Sequence, residues 1–279
     1  MFSFFYRYAT FTLVWFLIFG SALLVLRPYI KINIASPGNK YNASDVLTLG
    51  IYQLIVLALV LDGAITVLPL VLLLSLTVSD KQIFFHEQGR FWTGIYLQAL
   101  CVDVEISGEL PKGQMILIQN IESYLDGAAT LSRLPVYFRT VFLRHLFPMD
   151  NLSWLEGQMG YLALEQGDIS LMHADVQKIL SELNDEENIL TFAVESDGKL
   201  TVYGGTALFA LESKVPIVPI YVEHKETGIG SFLTPRLPYE LKIRVGKPLN
   251  LPEASGEMNG KIVREMISAE MTRLAKVGT

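Results

Sequence analysis

Apolar residues gather in two long runs near the amino terminus and in short, punctuated runs after it. Residues 8–26 form an uncharged apolar stretch bracketed by Arg7 and Arg27. Its length of about 19 residues suits a helix that crosses a bilayer. A cleaved signal peptide is the alternative, and the length, the following Arg27 and the lack of a small-x-small cleavage site weigh against it. Residues 46–78 form a second apolar run, which as one helix would extend roughly 50 Å. Asp62-Gly63 lies at its middle and Pro69 follows. The run therefore predicts either a tilted or kinked span, or a break at Asp62-Gly63 that gives a re-entrant pair. An Asp in hydrocarbon has to be neutral, paired or facing protein. With two crossings, the amino terminus and the rest of the chain share a side.

After Ser79 the pattern changes to that of an α/β domain. Residues 82–100 carry an apolar face at helical spacing (Phe84, Phe85, Phe91, Trp92, Ile95, Leu97), and residues 102–108 alternate like a strand. Residues 115–120 (MILIQN) read as a buried strand, and residues 127–134 as a helix. Residues 136–147 are bulky and carry Arg139 and Arg144. Residues 160–168 predict a strand and a turn, 175–183 a helix, 187–196 a strand and 205–212 a helix. Residues 215–223 and 239–249 predict two further strands. Met258, Ile262, Val263, Met266, Ile267, Met271 and Leu274 recur at helical spacing and predict a closing amphipathic helix packed on the core. Strands alternating with helices indicate a mixed, mostly parallel sheet flanked by helices. The expected organisation is a membrane-embedded helical segment over residues 1–80 and an α/β domain over residues 81–279.

Composition sharpens this picture. Hydrophobic residues make up 51% of the 279 and charged residues only 18%, and the charges are sparse before residue 79. A formal net charge of −6 argues against a nucleic-acid binder, which needs a basic footprint. The single Cys101 excludes an intrachain disulfide framework and a cysteine-rich zinc site. Its apolar surroundings predict a buried structural thiol. No metal site is implied.

The chemistry-bearing stretch begins where the 115–120 strand turns polar. Asn120, Ser123 and Asp126 follow one another just before a small-residue helix, and α/β folds place ligands at such strand ends. Ser and Asp are also common helix caps, so Ser123 and Asp126 read equally as a cap. A second polar group lies at Glu195, Asp197-Gly198 and Lys199, ahead of Gly205. His145 and Asp150 share the spacing of a His-to-Asp dyad, but they lie too close to Phe192 and read better as a surface His and a helix cap. His86, His173 and His224 have no evident sequence partners.

These pieces, in this order, resemble the glycerolipid acyltransferase family, of which the 1-acylglycerol-3-phosphate acyltransferases are the best-known members. The likeness runs from about residue 89 to the carboxyl terminus. In that family a strand ends in Asn-His-x-Ser-x-x-Asp; here Asn120, Ser123 and Asp126 match, and Ile121 stands in place of the His. A second family block, Phe-Pro-Glu-Gly-Thr-Arg, is replaced by Phe192-Ala193-Val194-Glu195, and its phosphate-binding Arg is missing. The tail of that block is kept in Asp197-Gly198-Lys199, Gly205, Pro216 and Pro219. Gln166 sits where an Arg is expected in a third block.

The resemblance implies acyl transfer from an acyl thioester, acyl-CoA or an acyl carrier protein as co-substrate, to the hydroxyl of a lysophospholipid-type acceptor. No bound cofactor is implied, and the partners are membrane lipid and the acyl donor. The protein is expected at a membrane, with the large domain on the cytoplasmic side. By the same resemblance Asp126 and Ser123 are the catalytic candidates, and Asn120, Glu195, Lys199 and Gly205 the substrate-binding ones. An alcohol attacks a thioester poorly without a base to take its proton, assistance worth roughly 10²–10⁴-fold. Ile121 has no proton acceptor, and Glu122 beside it is a carboxylate, a weak base for an alcohol. Lys199, Arg139 and Arg144 are the candidate replacements for the missing Arg. Two functions therefore stay open: an acyltransferase with a substitute base, or a catalytically degenerate relative that binds lipid or a partner protein. A third reading limits the likeness to architecture, and only the first two expect an apolar tunnel leading toward Asp126.

Overall fold

The computed structural model describes residues 20–21, 25–26, 30, 43–143, 160–164, 169–183, 187–196, 199–202, 204–229, 237–249, 251 and 260–276. The run at residues 8–26, His145 with Asp150, Gln166 and the Asp197-Gly198 turn lie outside these, apart from four scattered positions in the first.

In chain order the elements are helix α1 (Ala43–Ser75), α2 (Lys81–Ala99), strands β1 (Val102–Ser107) and β2 (Ile116–Asn120), α3 (Tyr124–Arg133), β3 (Phe138–Leu143), β4 (Leu162–Leu164), α4 (Ile169–Glu182), β5 (Asn188–Ser196), β6 (Lys199–Val202), α5 (Gly204–Ser213), β7 (Ile217–Ile229), β8 (Leu237–Val245) and α6 (Gly260–Lys276). They divide into two compact units. One comprises Met1–Ser79, Phe91–Val104 and His224–Leu241; the other comprises Asp80–Arg90, Glu105–Glu223 and Lys242–Thr279.

In the first unit, α1 runs unbroken through Asp62-Gly63 and keeps Pro69 inside it. Of the two alternatives the break at Asp62-Gly63 is absent and the run is one continuous helix: one glycine costs a helix only about 1 kcal/mol, too little to end a run of this length. Among the described residues no helix is both long and apolar enough to cross a membrane. The second expected crossing thus becomes a helix whose apolar run carries an Asp, a Gly and a Pro. Its described side chains include a row of exposed apolar residues, Leu47, Ile51, Leu54 and Leu57, spaced to share one face. The buried Tyr52 donates its hydroxyl hydrogen to the Ala99 carbonyl at the end of α2. Cys101 is fully buried, as its sequence context predicts, and its thiol donates to the Tyr52 hydroxyl at 3.3 Å. It also takes the left-handed conformation, with φ 57°, at the position after α2 where glycine is usual.

The second unit holds most of a mixed, mostly parallel sheet with helices on both faces. The strand order is β1-β8-β7-β2-β5-β3-β4, with β6 pairing β5 from off this path. β2 is parallel to β5 and to β7, β3 is parallel to β5 and β4, and β6 returns antiparallel to β5 with Ser196 opposite Lys199. β2 is central and buried along its whole length, which is why it reads as an unbroken apolar run rather than an alternating one.

The two faces of the sheet are filled by different helices. Ile116 and Ile118 of β2 join Ile189 and Ala193 of β5 in one core with Val176 and Ile179 of α4, Ala207 and Phe209 of α5, and Val263, Ile267 and Met271 of α6. Alternation then turns Leu117 and Gln119 to the opposite face. The connection from β2 through α3 to β3 runs one way across the sheet, and that from β4 through α4 to β5 runs back. Right-handed crossovers place two such helices on opposite faces, so α3 covers the Gln119 face. The first turns of α2 lie on that face as well, because the His86 ring packs edge-on to Phe138, its centroid 4.8 Å away, and Phe138 alternates with the core residue Val141.

Candidate functional site

Among the described residues five strands, β2, β3, β4, β5 and β7, run parallel and end at one edge of the sheet, and the sequence candidates gather where β2 stops. Ala193 of β5 pairs with Asn120, and Ile220 of β7 pairs with Gln119. Asn120 is fully buried. Its Oδ1 accepts from the Val222 amide at 2.6 Å and its Nδ2 donates to the Val222 carbonyl at 2.9 Å. The side chain thus continues the β2–β7 pairing beyond the last ladder residue. Its Nδ2 also lies 3.4 Å from Oε1 of the exposed Glu122.

Three residues on, Ser123 caps α3. Its hydroxyl accepts from the Leu125 amide at 3.1 Å. Asp126, fully buried, closes the box from the other side: Oδ2 accepts from the amides of Glu122 at 2.8 Å and Ser123 at 3.0 Å. The Ser123 hydroxyl approaches Asp126 Oδ1 at 3.4 Å. Charge and helix dipole agree, since a carboxylate is favoured in the first turn. The carboxylate therefore fixes the path of residues 121–123, and α3 begins at Tyr124, three residues earlier than its small-residue run suggests. Ile121, at the position where the resembled family has a His, is half-buried.

The remaining candidates sit on neighbouring elements. Glu195 lies in β5, two residues past Ala193, and pairs with Leu200; Lys199 opens β6. The side chains of Glu195 and Lys199 lie outside the described ones. Gly205 is buried in the first turn of α5, which is tied to β5 by a 3.1 Å contact between the hydroxyls of Thr206 and Thr191.

Arg139 is not near this edge. It is buried at the start of β3, donates from Nε to the Gly160 carbonyl at 2.9 Å and lies 3.7 Å from Glu187. It therefore does not replace the missing phosphate-binding Arg. His86 is equally remote: the Phe138 it packs on pairs with Asn188, which is level with Met115. That is five residues, or about 16 Å along the strand, from Asn120. His173, on α4, pairs with Glu212 at 3.0 Å on the opposite face.

Sequence reasoning missed two features. Asn188 pins the amino end of the same strands: its Oδ1 accepts from the Met115 amide at 3.0 Å and its Nδ2 donates to the Tyr137 carbonyl at 2.8 Å. Two asparagines thus staple opposite ends of the central strands. The other is Gln119. It is fully buried, and among the described residues neither its Oε1 nor its Nε2 has a hydrogen-bond partner; the buried hydroxyl of Thr130 on α3 has none either. Each such group costs about 1–3 kcal/mol, and buried polar groups are normally paired. A polar residue at the end of an apolar strand was the only available signal.

A cavity of about 160 Å³ lies at the other end of the strands, lined by Met115, Ile116, Leu180, Ile189 and Phe209 among others. It is at the amino end of β2 and β5, so it is not the apolar tunnel expected to lead toward Asp126.

No family model matches the chain. Over 146 residues it is 25% identical to a lyso-ornithine lipid O-acyltransferase of Pseudomonas aeruginosa, an alignment covering 50% of this chain and 55% of that protein. The similarity therefore spans about half the length of the relative. The structure matches the crystal structure of PlsC, the 1-acyl-sn-glycerophosphate acyltransferase of Thermotoga maritima, with a TM-score of 0.56 at 15% identity over 82% of this chain and 96% of that one. At such identity the match establishes a shared α/β fold.

Proposed function

We propose that this chain is a membrane-associated acyltransferase-type protein that moves an acyl group from an acyl thioester to the hydroxyl of a lysolipid acceptor, with the reacting hydroxyl placed at the end of β2. The observation that carries this reading is the position of Asn120, Ser123 and Asp126. All three meet at the carboxyl end of the central strand, in a fold shared with a solved lysophosphatidic acid acyltransferase. Similarity to an enzyme named for a lyso-lipid acceptor supports the substrate class. The exposed row Leu47, Ile51, Leu54 and Leu57 supports attachment to the bilayer that holds both substrates.

In this reading Asp126 holds Glu122 and Ser123 through their amides, and Glu122 presents its carboxylate beside Asn120. Glu122 takes the proton from the acceptor hydroxyl as its oxygen attacks the thioester carbonyl. The C–S bond then breaks, the leaving thiolate takes that proton from Glu122, and the products are an ester and a free thiol. Glu195 on β5, Lys199 at the start of β6 and Gly205 in the first turn of α5 are the proposed substrate-binding residues.

A second reading, a lipid-binding relative without chemistry, is favoured by one specific observation. The carboxylate that orients an imidazole in the resembled family is here engaged by the amides of Glu122 and Ser123, and Ile121 offers no imidazole to orient. Acyl transfer by the detergent-solubilised protein, with radiolabelled acyl-CoA or acyl carrier protein and a panel of lysolipids, decides between them. Turnover that falls about 100-fold or more in Glu122→Gln supports the first. A silent wild type that co-purifies with lipid establishes the second.

A further inference from the structure

The acyl-transfer reading leaves unused the cavity of about 160 Å³ at the amino end of β2 and β5. Much of its lining is apolar: Ile116 and Ile189 come from the two strands, and Phe209 from α5. Two helices also end at it. Leu180 lies in the last turn of α4 with Leu183 just beyond, and Ser213 closes α5. A helix carboxyl terminus carries partial negative charge on its unpaired carbonyls, and a cation beside it is favoured. Neither α4 nor α5 has a basic residue in its last turn. The chain supplies acids there instead: residues 182–187 read ELNDEE, four carboxylates and no cation. Of these Glu187 lines the cavity, and its side chain is only 14% exposed. Its carboxylate lies 3.7 Å from the Arg139 guanidinium, which is not part of the lining. Lys214 follows α5 but is exposed, and Glu212 of that helix is taken by His173 at 3.0 Å.

We propose that this cavity binds a small organic monocation, an alkylammonium with a compact apolar body, at a site separate from the acyl-transfer site. Volume sets the body: a cavity of roughly 150 Å³ accepts a molecule the size of one benzene ring. Polarity sets the head. An anion would meet the carbonyl ends of two helices and Glu187. A neutral molecule would fill the apolar part and leave the negative potential unanswered. An ammonium ion on an apolar body answers both, and the Phe209 ring in the lining is a surface on which a cation is favoured. The ligand is not the acceptor, because Ile116 stands four residues before Asn120, about 13 Å along the strand. The proposal therefore assumes nothing about acyl transfer. Ile116 and Ile189 belong to paired strands, and Leu180 and Phe209 to two helices packed on them, so an occupant joins four elements and stabilises the folded chain in proportion to its affinity.

The test uses the detergent-solubilised full chain and three probes of one shape: cyclohexylammonium, cyclohexanol and cyclohexanecarboxylate. Binding is read by calorimetry and by the rise in melting temperature at neutral pH. Wild type is expected to bind the ammonium about tenfold more tightly than the alcohol, and to show no binding of the carboxylate. Glu187→Gln is expected to cut that ratio to about threefold, the share left to the two helix termini. Leu183→Phe fills the cavity without changing a charge and is expected to abolish binding of ammonium and alcohol alike. It carries the test where Glu187→Gln fails to fold because Arg139 has lost its carboxylate. A wild type that binds the alcohol or the carboxylate as tightly as the ammonium overturns the cation assignment. Ammonium binding that survives unchanged in Leu183→Phe overturns the site, and the cation is then held elsewhere on the acidic surface.

Discussion

Asn120 and Val222 are joined through both halves of one amide, Oδ1 to the Val222 N–H at 2.6 Å and Nδ2 to its carbonyl at 2.9 Å. The pair binds two strands just past their last ladder bond, in a fully buried position. Asn120→Ala strands a backbone donor and a backbone acceptor together. A loss of about 3 kcal/mol is expected, read as a lower urea midpoint at unchanged slope. A loss below about 0.5 kcal/mol would mean that water reaches Val222 and the clasp is not structural.

The Ser123–Asp126 box predicts coupled losses. Asp126→Ala should cost about 2 kcal/mol and Ser123→Ala about 1 kcal/mol. Because the two side chains also touch each other, the double variant should lose less than the sum of the singles. Chemical denaturation of all four proteins completes the cycle. An Asp126→Ala protein as stable as wild type would remove the capping role and return the residue to catalysis alone.

Ile121→His restores the proton acceptor of the resembled family at a half-buried position next to a fixed carboxylate. If only the base is missing, acyl transfer should rise by about 10²–10⁴-fold. Its pH profile should gain an ascending limb in the range where a His loses its proton. No gain would mean that Asp126, held by two amides, cannot also serve an imidazole.

Two aromatic neighbours predict a pH dependence of stability. His86 is buried against Tyr137 and Phe138, and burial pushes its pKa below 6.5, Glu87 opposing this shift and Arg90 adding to it. The unfolded chain thus binds this proton more readily than the folded one. Stability should fall as pH drops below about 6.5 and level off under the folded pKa. Burial, with Glu187 and Asp80, raises Tyr137 to about 12 against the opposing Arg139. Its contribution is complete below pH 10 and is lost between 10 and about 12. Melting temperatures across pH 5–8 should be flatter in His86→Phe than in wild type. An unchanged slope assigns the acid sensitivity to another group.

The parts of this fold that the sequence discloses are those governed by periodicity. β2, β5, α5, β7 and the closing helix α6 all follow from apolar spacing, and the buried face of α6 (Val263, Ile267, Met271, Leu274) is the predicted one. The misses have physical causes. The start of α3 was set by the Ser123-to-Asp126 box and not by the small residues after it. β3 hides because it carries Arg139 within a bulky run, a buried charge engaged by Glu187 and the Gly160 carbonyl. α4 begins at Ile169, earlier than its polar stretch suggests, because Val176 and Ile179 anchor it to the core. β6 is a four-residue strand, too short to show alternation, although the Asp-Gly before it is a hairpin signal. Asn120, Ser123 and Asp126 were legible as a group, since their spacing survives in one dimension. The solitude of Gln119 was not, because a missing hydrogen bond exists only once the partners around it are placed.

The central position of β2 also sets a schedule. Its two neighbours, β5 and β7, lie 73 and 101 residues later in the chain, as Ile116 pairs with Ile189 and Ile217. On the ribosome the segment Ile116–Ile118 therefore emerges with neither edge covered, and at ordinary synthesis rates it waits several seconds or more for both. High contact order slows such closure further. The strand that anchors the site is thus open to mispairing while the chain is being made. Sensitivity to chaperone supply during expression, rather than fragility once folded, is the cost of placing the site on the innermost strand.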